Sequence, residues 1–191
     1  MEKVRNFCFI IFASIFLFSC RQNQEKPGGY QRGSTATEKN SNGFDDLVAD
    51  YESRDRLIWQ KPEMVIKRLG DLSQKTVVDL GAGTGFFAFR IVSKAKRVLA
   101  QDIDQRFINF MDSAKMELPT EYRIKFETRL GEMNDPKIRK GEADAVIIVN
   151  TYMYIQNRVE YMKKLRAGLA KNAMILIVDY KEKKYSSRSA S

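Results

Sequence analysis

The stretch VVDLGAGTGFF, residues 77–87, sets a carboxylate, Asp79, near the end of an apolar run and then three glycines, Gly81, Gly83 and Gly85, on alternate positions. Glycine has no Cβ, so backbone there comes close to a ligand and takes conformations closed to other residues. A tight turn alone needs fewer glycines, and the pattern is expected to hold a ligand. Other residues with chemical handles follow: Asp102 ends RVLAQD, Asn134 and Asp135 lie in GEMNDP, and Asn150, Tyr152 and Tyr154 lie in VNTYMYI. The chain has no histidine, which removes the usual general base and the commonest metal ligand. A base would have to be a tyrosine or a carboxylate, unless the nucleophile is acidic enough to need none.

These handles must be carried by regular elements. Residues 45–69 show helical spacing broken at Pro62. A short buried strand is expected over 76–80, a helix over 86–94, a second strand over 97–102 and a helix over 105–117 that Pro119 ends. A third strand is expected over 123–129, a strongly apolar fourth over 143–150, an amphipathic helix over 158–170 and a fifth strand over 173–180. Strands that alternate with helices imply right-handed crossovers and a doubly wound, mostly parallel α/β sheet covered on both faces. Ligands of such sheets sit at the C-terminal ends of the strands, and the first strand-to-helix turn is the expected contact.

Two ligand classes compete for that turn. Dinucleotide turns use G-x-G-x-x-G, whereas the spacing here is G-x-G-x-G, with Phe86 and Phe87 where a third glycine would be needed. The acid followed by G-x-G-x-G, Asp79 with Gly81, Gly83 and Gly85, resembles the first motif of the class I S-adenosylmethionine-dependent methyltransferases, over about residues 44–180. The resemblance implies that the acid and the glycine loop, Ala82 included, hold the methionine end of S-adenosylmethionine. It also implies that Asp102 takes both ribose hydroxyls, since a carboxylate accepts two hydrogen bonds, and that Ile103 follows it in the cofactor site. Asp104 is expected to cap the next helix. Asn134 and Asp135 fall where relatives set a polar group against the adenine amine, and the resemblance implies that residues 150–154, from Asn150 onward, form the floor of the methyl-transfer site. Tyr152 and Tyr154 are the candidate catalytic residues, with aromatic packing over the cofactor as the other role open to them. In-line displacement at a sulfonium carbon disperses charge, so positioning supplies much of the acceleration. The segment YESRDRLIWQKPE is expected to fold over the cofactor, with Arg56 and Trp59 as candidates to line the pocket.

The chain departs from that family in places. KEKKYSSRSAS follows the fifth strand without apolar periodicity, so the sheet is expected to lack the family's C-terminal strand pair and to leave the fifth strand as an edge. The expectation is that the chain is truncated or frameshifted, or that another chain covers that flank. LAKNAM lacks the glycine pair expected before the fifth strand. Asn150 and Asp179 end neighbouring strands, which is weak support for magnesium without a third oxygen ligand. No N-P-P-Y motif or RNA-reading module is present, so nucleic acid is disfavoured as substrate.

The N-terminus carries a different signal. Lys3 and Arg5 precede an apolar run over 7–18, which as a helix would span roughly 18 Å against about 30 Å for a bilayer core. A charged start and a short apolar middle read as a secretory signal, and Leu17-Phe18-Ser19-Cys20 resembles the lipobox of bacterial lipoproteins. That resemblance implies a membrane-anchored lipoprotein of the cell envelope, held through lipidated Cys20; a cytoplasmic location is the alternative, and an exported chain would leave the cytosolic S-adenosylmethionine supply. The expected organisation is a signal peptide over 1–19, a flexible tether over 20–43, an S-adenosylmethionine-binding methyltransferase domain over 44–181 and a basic polar tail over 182–191. The formal charge of +9 favours anionic surfaces such as lipid headgroups or acidic substrates. Two functions of different class are expected: a methyltransferase acting on a small molecule or lipid, or a tethered, catalytically silent binding module that keeps the fold.

Overall fold

The computed structural model describes residues 41–180, Arg54 excepted. The signal peptide, Cys20 and the basic tail of the sequence reading lie outside the described residues. The chain enters through α1 (Ser41–Tyr51), α2 (Asp55–Gln60) and α3 (Pro62–Lys67). The helical pattern over 45–69 is thus three helices, the last opening on Pro62, whose missing N–H costs nothing in a first turn. Then come β1 (Thr76–Leu80), α4 (Ala88–Ile91), β2 (Arg97–Asp102), α5 (Gln105–Lys115), α6 (Thr120–Arg123) and β3 (Phe126–Leu130). The chain closes with β4 (Ala143–Val149), α7 (Arg158–Ala167) and β5 (Leu169–Val178). Among the described residues the strands form one five-stranded sheet in the order β3-β2-β1-β4-β5, every pairing parallel. This is the doubly wound sheet the alternation predicts, with β5 on its edge.

Side chains alternate across the sheet as the pleat requires. Val77, Val98, Ala145 and Ile147 point to one face and pack with Ile66, Ile91 and Met111 of the helical layer formed by α3, α4 and α5. Val78, Leu99, Val146 and Ile148 point to the other face, where Tyr161 and Leu165 of α7 cover them. Each fully buried aliphatic side chain contributes about 1.5–3 kcal/mol, and the central strands, buried on both faces, hold the C-terminal strand ends in fixed relation.

Two boundaries differ from the sequence reading for local reasons. Pro119 starts a helical turn by accepting from the N–H groups of Tyr122 and Arg123, each at 2.9 Å, so Arg123 is helical and β3 begins only at Phe126. Gly168 ends α7 by donating to the Leu165 carbonyl at 2.9 Å, and its own carbonyl accepts from Ala143, so β5 starts at Leu169 instead of 173. The register then shifts between Ala143 and Ala145, with Asn172 at φ +64° in the left-handed region. Asparagine tolerates that conformation better than other residues with a Cβ, and it stands in the segment where a glycine pair was expected.

Candidate functional site

The site grows from the end of β1. Past Leu80 the backbone N–H groups of Gly81 and Ala82 both donate to the carbonyl of Gln101 on β2, at 2.8 and 2.9 Å. This pins the loop to the neighbouring strand. Gly81 has φ +76° and Gly83 φ +57°, a region that penalises residues with a Cβ. Space is closed as well: a Cβ on Gly81 would overlap the Thr151 side chain, and one on Gly83 would stand 2.9 Å from the Tyr51 ring.

The two acids do different work. Asp79, 3% exposed, accepts from the N–H of Ala88 at 2.9 Å and so caps the first turn of α4. Burial pushes its carboxyl up to about 7, against the opposing pull of the Ala88 N–H and the Arg56 charge. Asp102 accepts from Gly83 at 2.8 Å through Oδ2 and from Asp104 at 3.0 Å through Oδ1. Burial raises its pKa also, opposed by those N–H groups. Two buried carboxylates beside one loop favour a cationic group that lowers the cost of ionising them. Asp104 accepts from the Arg106 N–H at 2.9 Å and caps α5, as its place in the sequence suggests.

A cavity of about 330 Å³ opens where β1, β2 and β4 end. Of the residues singled out in the sequence, Gly81, Gly83, Asp102, Ile103, Asn150 and Tyr154 border it. Asp79 behind the loop, and Ala82 and Gly85 within it, shape the loop without bordering the cavity. Asn134 and Asp135 do not border it: the Asn134 carbonyl accepts from Lys164 at 2.9 Å, and Asp135 accepts from the Lys137 N–H at 2.7 Å. Glu132 and Met133, just before them, take that wall. Tyr152 packs against the core beneath α7, with the Arg158 guanidinium 5.2 Å from its ring centre, whereas Tyr154 stands at the cavity. Asn150 has φ +53°, and its N–H donates to Val178 at 2.8 Å, which turns the chain inward after β4.

The N-terminal segment supplies Tyr51, not Arg56 or Trp59, to the cavity wall. Tyr51 stacks on Phe107, ring centres 5.5 Å apart. Arg56 lies over the Phe86 ring at 4.2 Å and donates to the Tyr51 carbonyl at 2.7 Å, tying the helical segment to the glycine loop. Thr151, within the expected floor over 150–154, also borders the cavity, as do Gln101, Phe107 and Tyr161, which read in the sequence as ordinary strand or helix residues. Asp179 accepts from the Met153 N–H at 3.1 Å, and among the described residues no group of three or more metal-ligating acids or cysteines forms.

The residues present fit S-adenosylmethionine. The cavity volume lies in the range of small-ligand sites, the loop excludes a Cβ where a ligand would approach, and the buried acids suit a sulfonium. Asp102 at the wall would hold the ribose, and the glycine loop the methionine end.

A model of the methyltransferase domain matches residues 71–190. The chain is 32% identical over 103 residues to a magnesium-protoporphyrin O-methyltransferase of Rhodobacter capsulatus, covering 54% of this chain and 42% of that protein. It is 27% identical over 139 residues to a demethylmenaquinone methyltransferase of Lactococcus lactis, covering 65% and 53%. The chain thus spans about half the length of the curated relatives it matches. Among solved structures, a SAM-dependent methyltransferase from Aquifex aeolicus superposes with a TM-score of 0.66 at 19% identity, covering 80% of this chain and 79% of that one. A geranyl diphosphate C-methyltransferase from Streptomyces coelicolor, solved with S-adenosyl-L-homocysteine, gives 0.57 at 19% identity, covering 74% and 51%. With the parallel sheet, the glycine loop and the matched domain in agreement, the chain belongs to the methyltransferase-domain family.

Proposed function

We propose that this chain transfers a methyl group from S-adenosylmethionine to a small, largely apolar acceptor by in-line displacement. The observation that carries the reading is the joint between Gly83 and Asp102: a glycine N–H and a buried carboxylate meet at the wall of a cavity at the C-terminal strand ends. S-adenosylmethionine supplies an electrophilic methyl carbon, and as the acceptor's lone pair bonds to it, the C–S electron pair returns to sulfur. The chain's own part is to hold and exclude. The glycine loop and Asp102 fix the nucleoside and methionine ends, Tyr51 and Phe107 form an apolar wall, and Tyr154 stands at the mouth as packing surface.

The other acids that border the cavity are engaged: Asp104 with Arg106 at 2.6 Å and Glu132 with Lys137 at 2.8 Å. That supports an acceptor acidic enough to lose its proton to solvent. Past β4, exposed Tyr154 and its neighbour Ile155 border the cavity, a surface suited to an apolar acceptor, and the two curated relatives are named for a porphyrin and a quinone. Calorimetric titration with S-adenosylmethionine and with NAD tests the cofactor, with binding of the first alone expected. Transfer of labelled methyl to a quinol or porphyrin acceptor tests the reaction; binding without any transfer would leave a silent module instead. The same proposal holds the chain at a membrane through lipidated Cys20, on the strength of the sequence Leu17-Phe18-Ser19-Cys20. Labelled fatty acid should enter the protein and be lost in Cys20→Ala.

A further inference from the structure

Three buried side-chain atoms lack a hydrogen-bond partner among the described residues: Gln60 Nε2, Thr84 Oγ1 and Gln101 Nε2. Gln60 uses its other amide atom to accept from Arg56 at 2.9 Å. Only Gln101 borders the cavity. Its residue is 1% exposed, and its Nε2 donates to nothing within the described chain. A buried amide left in that state costs about 1–3 kcal/mol, while an apolar residue would fill the same place on β2 at no such cost, as Leu99 does two residues earlier.

The surroundings are shaped to keep the amide. At the end of β3 the chain has Gly131, whose N–H donates to the Asp102 carbonyl at 2.8 Å, and any Cβ there would overlap the Gln101 carboxamide. The missing side chain at 131 and the amide at 101 thus form one unit. Strand alternation turns Gln101 away from the face of Asp102 and toward that of Leu99 and Tyr161, and Tyr161, Glu132 and Met133 border the same cavity. Gln101 and Asp102 are chain neighbours that line one cavity, so a ligand held by its sugar at Asp102 would set its base along the wall that Gln101 shares.

We propose that Gln101 is a specificity-determining residue that reads the purine of the cofactor. A carboxamide offers a donor and an acceptor side by side, and adenine offers the complementary pair, its 6-amino group and a ring nitrogen. The inference rests on the cofactor reading above and adds to it the residue that selects the base.

The test uses the full chain and titration calorimetry with S-adenosylhomocysteine and with its 6-desamino (purine) analogue, for wild type, Gln101→Leu and Gly131→Ala. Wild type is expected to favour the adenosyl compound about tenfold. In Gln101→Leu the preference should shrink to threefold or less, and the thermal midpoint of the free protein should stay level or rise because the orphan amide is gone. Gly131→Ala, which displaces the amide without deleting it, should narrow the preference independently. A wild-type preference that both variants keep overturns the assignment, as does a wild type indifferent to the base. A wild type that binds neither compound overturns the cofactor reading itself.

Discussion

Between β1–β2 and β4–β5 the same parallel pairing makes two unlike surroundings. On the first side Asp79, Gln101 and Asp102 are buried, and the loop they support is held by backbone bonds to Gln101 and to the Asp102 carboxylate. On the second side Met174 and Ile177 of β5 and Met153 and Tyr154 of the loop after β4 are exposed. The contrast separates two tasks. A cofactor shared by many reactions suits a rigid backbone cradle, while acceptors differ and suit exposed side chains that change without disturbing the fold. Substitutions on the first side should therefore cost far more than equally drastic ones on the second.

The hardest blow to that contrast would come from Asp102→Ala. It removes the acceptor for two backbone N–H groups and the proposed ribose contact, and affinity for S-adenosylhomocysteine should fall about 1,000-fold. A change within threefold would make the two sides equivalent. Next, Gly81→Ala combines a left-handed backbone with overlap on Thr151 and should lower unfolding free energy by about 3–4 kcal/mol. Gly141→Ala, at φ +71° with open space around it, should cost only about 1–2 kcal/mol, and denaturant titration of both separates close approach from backbone strain.

The third effect is one of pH. Asp79 has a folded value of about 7 against 3.8 for the free group, so its contribution to stability is present below the free value and is lost as pH rises through 7. The cofactor-free protein should lose about 3 kcal/mol of stability between pH 4 and 7, a slope that Asp79→Asn should flatten. A cation opposes that loss, so affinity for S-adenosylmethionine relative to its neutral thioether product should rise from about pH 5.5 to about 8. On the other side of the sheet, Tyr154→Ala should leave cofactor affinity unchanged and raise the acceptor KM about tenfold, read by steady-state kinetics. Tyr152→Ala, a packing residue here, should lower the thermal midpoint instead. The smallest effect belongs to Met174→Lys on the edge strand, expected to shift unfolding free energy by under about 0.5 kcal/mol.

Much of the first side was legible in the sequence because its signals are local. The alternation of strands with helices, the glycines with positive φ and the acid that ends β2 each follow from residue type and spacing within a few positions. Gln101, Phe107 and Tyr161 were not legible, because what makes them border the cavity is where separate elements meet, while Tyr51 and Thr151 lay in stretches the sequence marked without being singled out there. Asn134 and Asp135 carried the right chemistry, but the Asp135 carboxylate is taken by the Lys137 N–H, Lys164 ties the Asn134 main chain into the turn, and the wall passes to the two residues before them. The start of β5 was hidden by Asn172, whose left-handed backbone lets the strand absorb a register shift that periodicity does not reveal.

Trp59 is the chain's single tryptophan, and it stacks on Tyr180 just past β5 with ring centres 5.8 Å apart. An indole so placed is a native optical probe of whether the helical cover stays docked on the sheet edge. Red-edge excitation, which tyrosine does not absorb, would report on that one junction in unlabelled protein, so a titration could follow loosening or tightening of the cover as the glycine loop fills.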